Sequence, residues 1–387
     1  MDKKNKSPNV PNLRFSNLDK LMKVRLGDIC TITGGYAFDS HKMTQKGDYQ
    51  IIKMGNLYNG IFDLSRNSSF INAPTKKELE YLIQENDILI TLTGTTNKKD
   101  YGYTVQMEQP KNLLLNQRCA LIRASKVNEK YLFYLLNSND FLKQFYASST
   151  GGTGNQTNVS INDMLDFKVY ISNENDQSKI SNILNALDKK ILTQIKIIDD
   201  YNSLKMGIYN WMFKENCADY KLKQLANIVK GDQINNNQLL SNGTYYMMNG
   251  GTLPSGYLDS YNVSENTISI SEGGNSCGYV QFNKERFWSG GHCYTIQNVN
   301  PLIVENKYLY HYLKHKEKEI MNLRIGTGLP NIQKKDLGNF TIFVPNLLIQ
   351  RKNLALFEML DEKICILNEE LERLEKQKKY LLRNLFI

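Results

Sequence analysis

The chain repeats itself, and no other feature limits so tightly what it can fold into. Displaced by 173 positions, residues 158–214 lie over 331–387 without a gap. "NVSINDMLDFKVYI" (158–171) falls on "NIQKKDLGNFTIFV" (331–344), with Asn158/Asn331, Asp163/Asp336 and Phe167/Phe340 identical. Gln177/Gln350, Lys179/Lys352, Leu187-Asp188 over Leu360-Asp361, Lys190-Ile191 over Lys363-Ile364, Lys205/Lys378 and Phe213/Phe386 continue the match. Upstream the offset rises to 196: "VRLGDICTITGG" (24–35) resembles "YKLKQLANIVKG" (220–231), each a short strand entering a glycine turn. "ENDILI" (85–90) resembles "ENTISI" (265–270), and the aromatic amphipathic helix "NEKYLFYLL" (128–136) resembles "ENKYLYHYL" (305–313). Any two amphipathic helices align to some degree, but an ordered series of matched strands, loops and helices requires a duplication.

Each copy ends in a long helix. In the second, Leu360, Ile364, Leu367, Leu371, Leu374, Lys378, Leu381 and Leu385 are spaced alternately four and three apart, an a/d heptad seam. The equivalent positions of the first are Leu187, Ile191, Gln194, Ile198, Tyr201, Lys205, Ile208 and Met212, a poorer seam interrupted by Gln194 and Lys205. A stripe of some 40 residues, about 60 Å at the helical rise, is too long for one compact neighbour to bury. The simplest partner for one helix is the other, antiparallel; a homodimeric zipper through the last helix is the alternative. The interrupted copy is where such a rod should yield first. The expected organisation is an N-terminal arm (1–20), a globular unit (21–172), a helix (173–215), a second globular unit (216–345) and a second helix (346–387). Two related modules on one rod form a ruler, suited to a polymer carrying two sites.

A chain of 387 residues has room for two domains. Its 48 Lys and Arg against 39 Asp and Glu leave a net charge of +9, which suits a nucleic-acid partner without demanding one. The first dozen residues are polar and basic and read as a loose arm. No apolar run approaches the ~18–20 residues of a membrane span, and no signal peptide is visible. The cysteines (Cys30, Cys119, Cys217, Cys277, Cys293, Cys365) are scattered with no CxxC pair, as in reduced thiols of a cytoplasmic protein.

"VPNLRFSNL" and "VRLGDI" near the start resemble the specificity subunits of type I restriction-modification enzymes. So do "TGGTGNQTNVSINDMLDFKVYI" (150–171) and "RIGTGLPNIQKKDLGNFTIFVP" (324–345), each followed by an "LDxKI" helix, and the helix ends "LKMGIYNWMF" and "QKKYLLRNLF". The resemblance covers essentially the whole chain. It implies an α+β fold of two tandem target-recognition domains separated by an antiparallel pair of long coiled-coil helices. Each domain would read one half of a split, asymmetric target in double-stranded DNA, and the helices would fix the gap and dock the modification subunits, two of them expected, and the restriction subunits. The family's subunit has no catalysis of its own and binds no cofactor. Its partners methylate adenine with S-adenosylmethionine and translocate and cut DNA with ATP and Mg. In agreement, the chain has neither an N/D-P-P-[YF] adenine-methylation motif nor a GxxxxGK[ST] phosphate loop.

Against that background three pairs of segments are candidate DNA contacts. The loops "GGTGNQTN" (151–158) and "GTGLPN" (326–331) precede equivalent strands, and Gly154, Gln156, Thr157, Thr327 and Gly328 could approach phosphates or base edges. Asn158 and Asn331 suit local turn bonds better. The loops "TLTGTTNKKDYG" (91–102) and "SEGGNSCGY" (271–279) follow equivalent strands with different chemistry, as two readers of different half-sites should. Thr93, Thr95, Thr96, Asn97, Lys98 and Lys99 offer donors and charge, while Ser271, Asn275 and Ser276 offer smaller polar groups. At any one residue a solvated hairpin is the competing reading. Arg118 and His292 stand at equivalent places before equivalent cysteines, and Arg to guanine is the commonest specific contact. His311 and His315 have the i, i+4 spacing of a metal pair, but their counterparts are Tyr134 and Ser138, which argues against a shared metal site.

The function expected is therefore sequence-specific recognition of a bipartite DNA target, with half-sites about one helical turn apart. The rivals are a methyltransferase or nuclease acting alone, and a coiled-coil structural protein that binds DNA without specificity.

Overall fold

A computed structural model describes residues 13, 21–151, 156–213, 218–326, 328 and 330–386. The chain divides into two compact units, Met1–Thr193 with Leu371–Ile387, and Gln194–Glu370. The compact units cut across both long helices, each half-helix falling with the globular domain beside it. Of the N-terminal arm only Leu13 is described, its N–H donating to the Asn384 carbonyl at 3.0 Å.

In the first unit a four-stranded antiparallel sheet runs in the order Cys30–Gly34, Cys119–Ala124, Ile88–Thr91, Thr104–Gln106. The central strand "ILIT" is buried throughout, so it reads as a continuous apolar run rather than an alternating one. Asn86, just before it, has φ 65°, a left-handed conformation that asparagine tolerates. Helices Glu129–Leu136 and Asn139–Ala147 supply the apolar face that covers the sheet, with Tyr131, Leu132, Phe141 and Phe145 in the core. Asn128 and Ser138 cap the two helices by accepting the N–H groups of Tyr131 and Phe141. A smaller three-stranded sheet joins Phe70–Ile71, Tyr49–Ile52 and Leu113–Leu115. Met22–Arg25 pairs with Lys168–Ile171, closing the domain at the root of the long helix.

The second unit repeats the plan. Its four-stranded sheet runs Asn227–Lys230, Cys293–Gln297, Thr267–Ser271, Val280–Asn283, and Asn266 has φ 58° before the central strand. Gly256–Leu258, Tyr245–Met248 and Trp288–Ser289 form the small sheet, and Ala218–Lys221 pairs with Thr341–Val344. Helix Asn306–His315 buries Tyr308, Leu309, Tyr312 and Leu313 in its core.

The long helices are Glu174–Met212 and Leu347–Leu385, each of 39 residues. Within each unit their halves pair antiparallel, through Lys378 with Asp188 in the first and Lys205 with Asp361 in the second. None of the sixteen heptad-seam residues is exposed in either helix. The interruptions of the first seam are occupied rather than weak: Gln194 donates its Nε2 to the Leu367 carbonyl at 2.9 Å, and Lys205 pairs with Asp361. Gln194 and Leu367 are repeat equivalents, so this bond joins a position to its own copy.

At the root of each helix the two copies use the same polar device. Gln177 Oε1 accepts the Asn128 N–H at 2.9 Å and its Nε2 donates to the Ser172 carbonyl at 2.7 Å. Gln350 Oε1 accepts the Glu305 N–H at 2.8 Å, and its Nε2 donates to the carbonyls of Ile303 and Pro345 at 2.9 and 2.7 Å. Both amides are buried. Their conservation between copies follows from the backbone groups they satisfy.

Candidate nucleic-acid interface

In the first unit the sheet edge gathers three segments distant in sequence. Gln156–Asn158 pairs antiparallel with Thr93–Thr95, with Gln156 opposite Thr95 and Asn158 opposite Thr93. The Leu92 N–H donates to the Arg118 carbonyl at 3.0 Å, and the Val159 N–H to the Leu92 carbonyl at 3.1 Å. Arg118, the 93–99 loop and Gln156 therefore share one edge, and Thr96, Asn97, Lys98, Arg118 and Gln156 are exposed there.

The loop is held in shape from within. Thr95 donates both its N–H and its hydroxyl to Asp100, each at 2.7 Å, and the hydroxyl bond comes first among the causes holding that carboxyl below its usual range. The Lys98 N–H closes a turn onto the Thr95 carbonyl at 3.0 Å, with Asn97 left-handed (φ 65°) at its third position, where such turns take Gly or Asn. Lys99, though exposed, lies with its Nζ 5.2 Å from the Tyr146 ring centroid, a cation–π contact. Thr93 donates its hydroxyl to Asn158 Oδ1 at 2.9 Å, the local bond expected of that asparagine. Asn331 instead contributes backbone bonds, exchanging N–H and carbonyl with Ile325 at 3.0 and 2.8 Å.

The second unit builds the same edge with fewer strand residues. Gly273 and Ile325 each bridge to Asn331, the Glu272 N–H donates to the His292 carbonyl at 2.9 Å, and the Ile332 N–H to the Glu272 carbonyl at 2.8 Å. His292 thus occupies the position of Arg118, and the 271–276 loop that of the 91–96 loop. His292, Asn275 and Gly328 are exposed, and Ser276 is half-buried.

Two sequence candidates are corrected. Thr157 is 5% exposed and donates its hydroxyl to the Thr150 carbonyl at 3.1 Å. Ser271 is 4% exposed and donates to the Gly250 carbonyl at 2.6 Å. Both sit on inward positions of their strands, so they brace loops and do not face a ligand. Thr93 and Thr95 are half-buried with hydroxyls already engaged, which makes them supports for Thr96–Lys98. Gly154 and Thr327 lie outside the described residues.

Sequence reasoning missed Glu272, Lys230 and Asn249. Glu272 is a buried carboxylate paired with Lys230 Nζ at 2.6 Å, where the first copy has Leu92, and Asn249 Oδ1 accepts the His292 N–H at 3.0 Å. Glu272 was discoverable from the repeat alignment, as an acid standing where its copy has an apolar residue.

Cys119 and Cys293 are buried, and loss of solvation pushes their thiols up, to about 12 and about 11. Of the histidines with metal-pair spacing, His311 bonds the Tyr209 hydroxyl through Nδ1 at 2.9 Å, and the rings of His311 and His315 both pack on Tyr209. Among the described residues no group of three or more His, Cys, Asp or Glu could hold a metal, and no helix is long and apolar enough to cross a membrane.

Comparison with known proteins matches this architecture. The chain is 34% identical over 164 residues, 42% of each chain, to a putative type I specificity subunit of Mycoplasma pneumoniae. It is 34% identical over 121 residues, 31% of each chain, to one of Mycoplasma genitalium. The matched stretches thus span less than half the length of these relatives. The crystal structure of a type I restriction-modification S subunit from M. genitalium covers 97% of this chain and 99% of its own, with a TM-score of 0.67 at 19% identity, a likeness of fold. The family described as type I restriction modification DNA specificity domain matches twice, over residues 19–199 and 214–376, one match for each copy of the repeat, and the chain belongs to that family.

Proposed function

We propose that this chain is the DNA-recognition subunit of a type I restriction-modification complex, reading a bipartite, asymmetric target with one domain per half-site. One observation carries the reading: a single scaffold edge is built twice and loaded with different chemistry, Arg118 with Thr96–Lys98 in one copy, His292 with Asn275 and Ser276 in the other. Equivalent scaffolds with unlike tips are what recognition of two unlike half-sites demands, since phosphate contacts position and base contacts specify. The net charge of +9 supports a polyanionic partner.

The chain itself is the non-catalytic part, cytoplasmic, binding no cofactor. Modification subunits, two of them, supply S-adenosylmethionine chemistry, and restriction subunits supply ATP- and Mg-dependent translocation and cleavage. Exposed apolar side chains on the long helices, among them Leu192, Trp211, Met359 and Tyr380, support docking of such subunits.

The test is methylation mapping of genomic DNA from cells carrying the chain and its modification partner. Two unlike half-sites at a fixed gap are expected, and replacing residues 1–157 with those of another family member should change one half-site only. Methyl transfer from labelled S-adenosylmethionine by the pure chain alone would defeat the proposal in favour of a stand-alone methyltransferase. Equal affinity of the assembled complex for all duplexes would favour a structural protein.

A further inference from the structure

We propose that Glu272 is a positioning residue that fixes the tautomer of His292, making that ring a hydrogen-bond acceptor for an exocyclic amino group of a base in the second half-site. This rests on the reading of the chain as a DNA-recognition subunit.

Glu272 is 6% exposed, and a carboxylate so placed needs partners for both oxygens. Its Oε1 has them: Lys230 Nζ at 2.6 Å and the Tyr294 hydroxyl at 3.1 Å, the latter shared with the Ile332 carbonyl. Its Oε2 is buried and accepts no hydrogen bond among the described residues. His292 Nδ1 lies 4.0 Å from that oxygen. A proton on Nδ1 would face the one carboxylate oxygen left without a donor among the described residues.

The backbone holds the histidine in place for that contact. The His292 N–H donates to Asn249 Oδ1 and its carbonyl accepts the Glu272 N–H. Behind it stands Gly250, left-handed at φ 84°, where an added Cβ would lie 3.0 Å from the His292 carbonyl oxygen. The side chain, by contrast, is 61% exposed. A ring pinned at its root, with one nitrogen facing a buried acceptor and the rest in solvent, presents its other nitrogen outward.

The tautomer decides what that outer nitrogen does. The neutral ring with Nδ1–H toward Glu272 leaves a lone pair on Nε2. In the major groove an acceptor pairs with adenine N6–H or cytosine N4–H. Arg118, at the same place in the first domain, can only donate, to guanine O6 or N7. The first domain has Leu92 in place of Glu272, and an arginine needs no tautomer set. The buried acid appears only in the copy that carries a histidine.

Four histidines make the tautomer directly measurable by nitrogen-15 NMR of histidine-labelled full-length chain at about pH 8, with His292→Gln identifying the resonance. The Nδ1–H form is expected, giving way to the Nε2–H form in both Glu272→Gln and Glu272→Leu. An Nε2–H ring in the native chain, or an unchanged ring in both variants, overturns the proposal. In the complex with modification subunits, duplexes each lacking one exocyclic amino group of the mapped half-site complete the test. One of them should bind the native complex about tenfold more weakly, and the His292→Ala complex should not notice the change. If the native ring instead senses removal of a purine O6 or N7, it acts as a donor and the proposal fails. Indifference of the native complex to every change of sequence would bring down the DNA-recognition reading itself, a result separable from the tautomer.

Discussion

Lys378 Nζ lies 2.6 Å from Asp188 Oδ1, and the same two repeat positions meet again with their roles exchanged between copies, as Lys205 with Asp361. Each pair therefore joins the acid of one helix to the base of the other. Asp188 also accepts the Tyr134 hydroxyl at 2.9 Å, while His311, the counterpart of Tyr134, has its Nδ1 3.9 Å from Asp361. Polar groups within a heptad seam favour one register over its neighbours. Both members of the Lys378–Asp188 pair are partly buried, so removing one leaves the other poorly solvated. A double-mutant cycle of Lys378→Met and Asp188→Asn should give a coupling energy of about 1 kcal/mol by urea denaturation. A coupling near zero would mean that the pair is held only as a surface contact.

The glutamines at the helix roots should cost more. Gln350 is fully buried and satisfies three backbone groups, so Gln350→Ala strands the Glu305 N–H and two carbonyls. A loss of about 2–3 kcal/mol is expected in equilibrium unfolding, with Gln350→Glu no better because one oxygen would face carbonyls. Retention of full stability by either variant would show that water replaces the amide without penalty.

Much of this is legible in the sequence, for a physical reason. Duplication supplies an internal comparison, so Gln177/Gln350 and the Lys/Asp pairs stand out as identities between the two copies. Arg118 and His292 fall at equivalent places because each precedes a cysteine buried by the same sheet. Thr157 and Ser271 are misleading because a hydroxyl in a glycine-bearing stretch looks the same whether its strand position faces in or out. The repeat shows Glu272 only as an acid opposite Leu92; its burial and its pairing are not legible, because Lys230 is 42 residues away along the chain.

Acid should weaken the second unit. Burial, first among the causes, pushes His311 down to about 4; Asp361 opposes this and Lys205 adds to it, with Glu358 and Lys307 acting more weakly. The unfolded chain binds the proton near pH 6.5 and the folded chain does not until about 4, so the unfolded state holds more protons throughout that window. Stability is full above about pH 6.5 and falls toward pH 4, by on the order of 3 kcal/mol from this residue. His315, also held down chiefly by burial, acts in the same direction. Urea midpoints across the window should slope for the native chain and flatten in His311→Gln; equal slopes would remove His311 as the cause.

Gly35 and Gly231, the ends of the matched "TGG" and "VKG" stretches, should tolerate no side chain. A Cβ on Gly35 would lie 2.1 Å from the Asn116 carbonyl oxygen, and one on Gly231 would lie 2.3 Å from that of Ser289. In both copies the glycine N–H donates at 2.9 Å to the carbonyl of the equivalent cysteine, Cys119 or Cys293. The backbone would have to part, so Gly35→Ala and Gly231→Ala should each cost about 3 kcal/mol or more. Thermal denaturation of each variant checks this, and a change under about 1 °C would contradict the close approach.

Arg118 and the lysines of the 93–99 loop should fail in different ways. Arg118 stands exposed at the sheet edge, while Lys98 extends from a turn braced by Thr95 and Asp100. If Arg118 reads a base, Arg118→Ala in the complex with modification subunits should relax one position of the first half-site. Discrimination there should fall by about 1–3 kcal/mol and stay intact elsewhere. If Lys98 meets phosphate, Lys98→Ala should weaken every duplex alike and lower the slope of log affinity against log salt by about one. Lys99 rests on the Tyr146 ring, so its removal should change the salt slope less than removal of Lys98. Fluorescence anisotropy on a panel of single-base variants at several salt concentrations separates these outcomes. A uniform loss for Arg118→Ala would reassign that residue from reading to positioning.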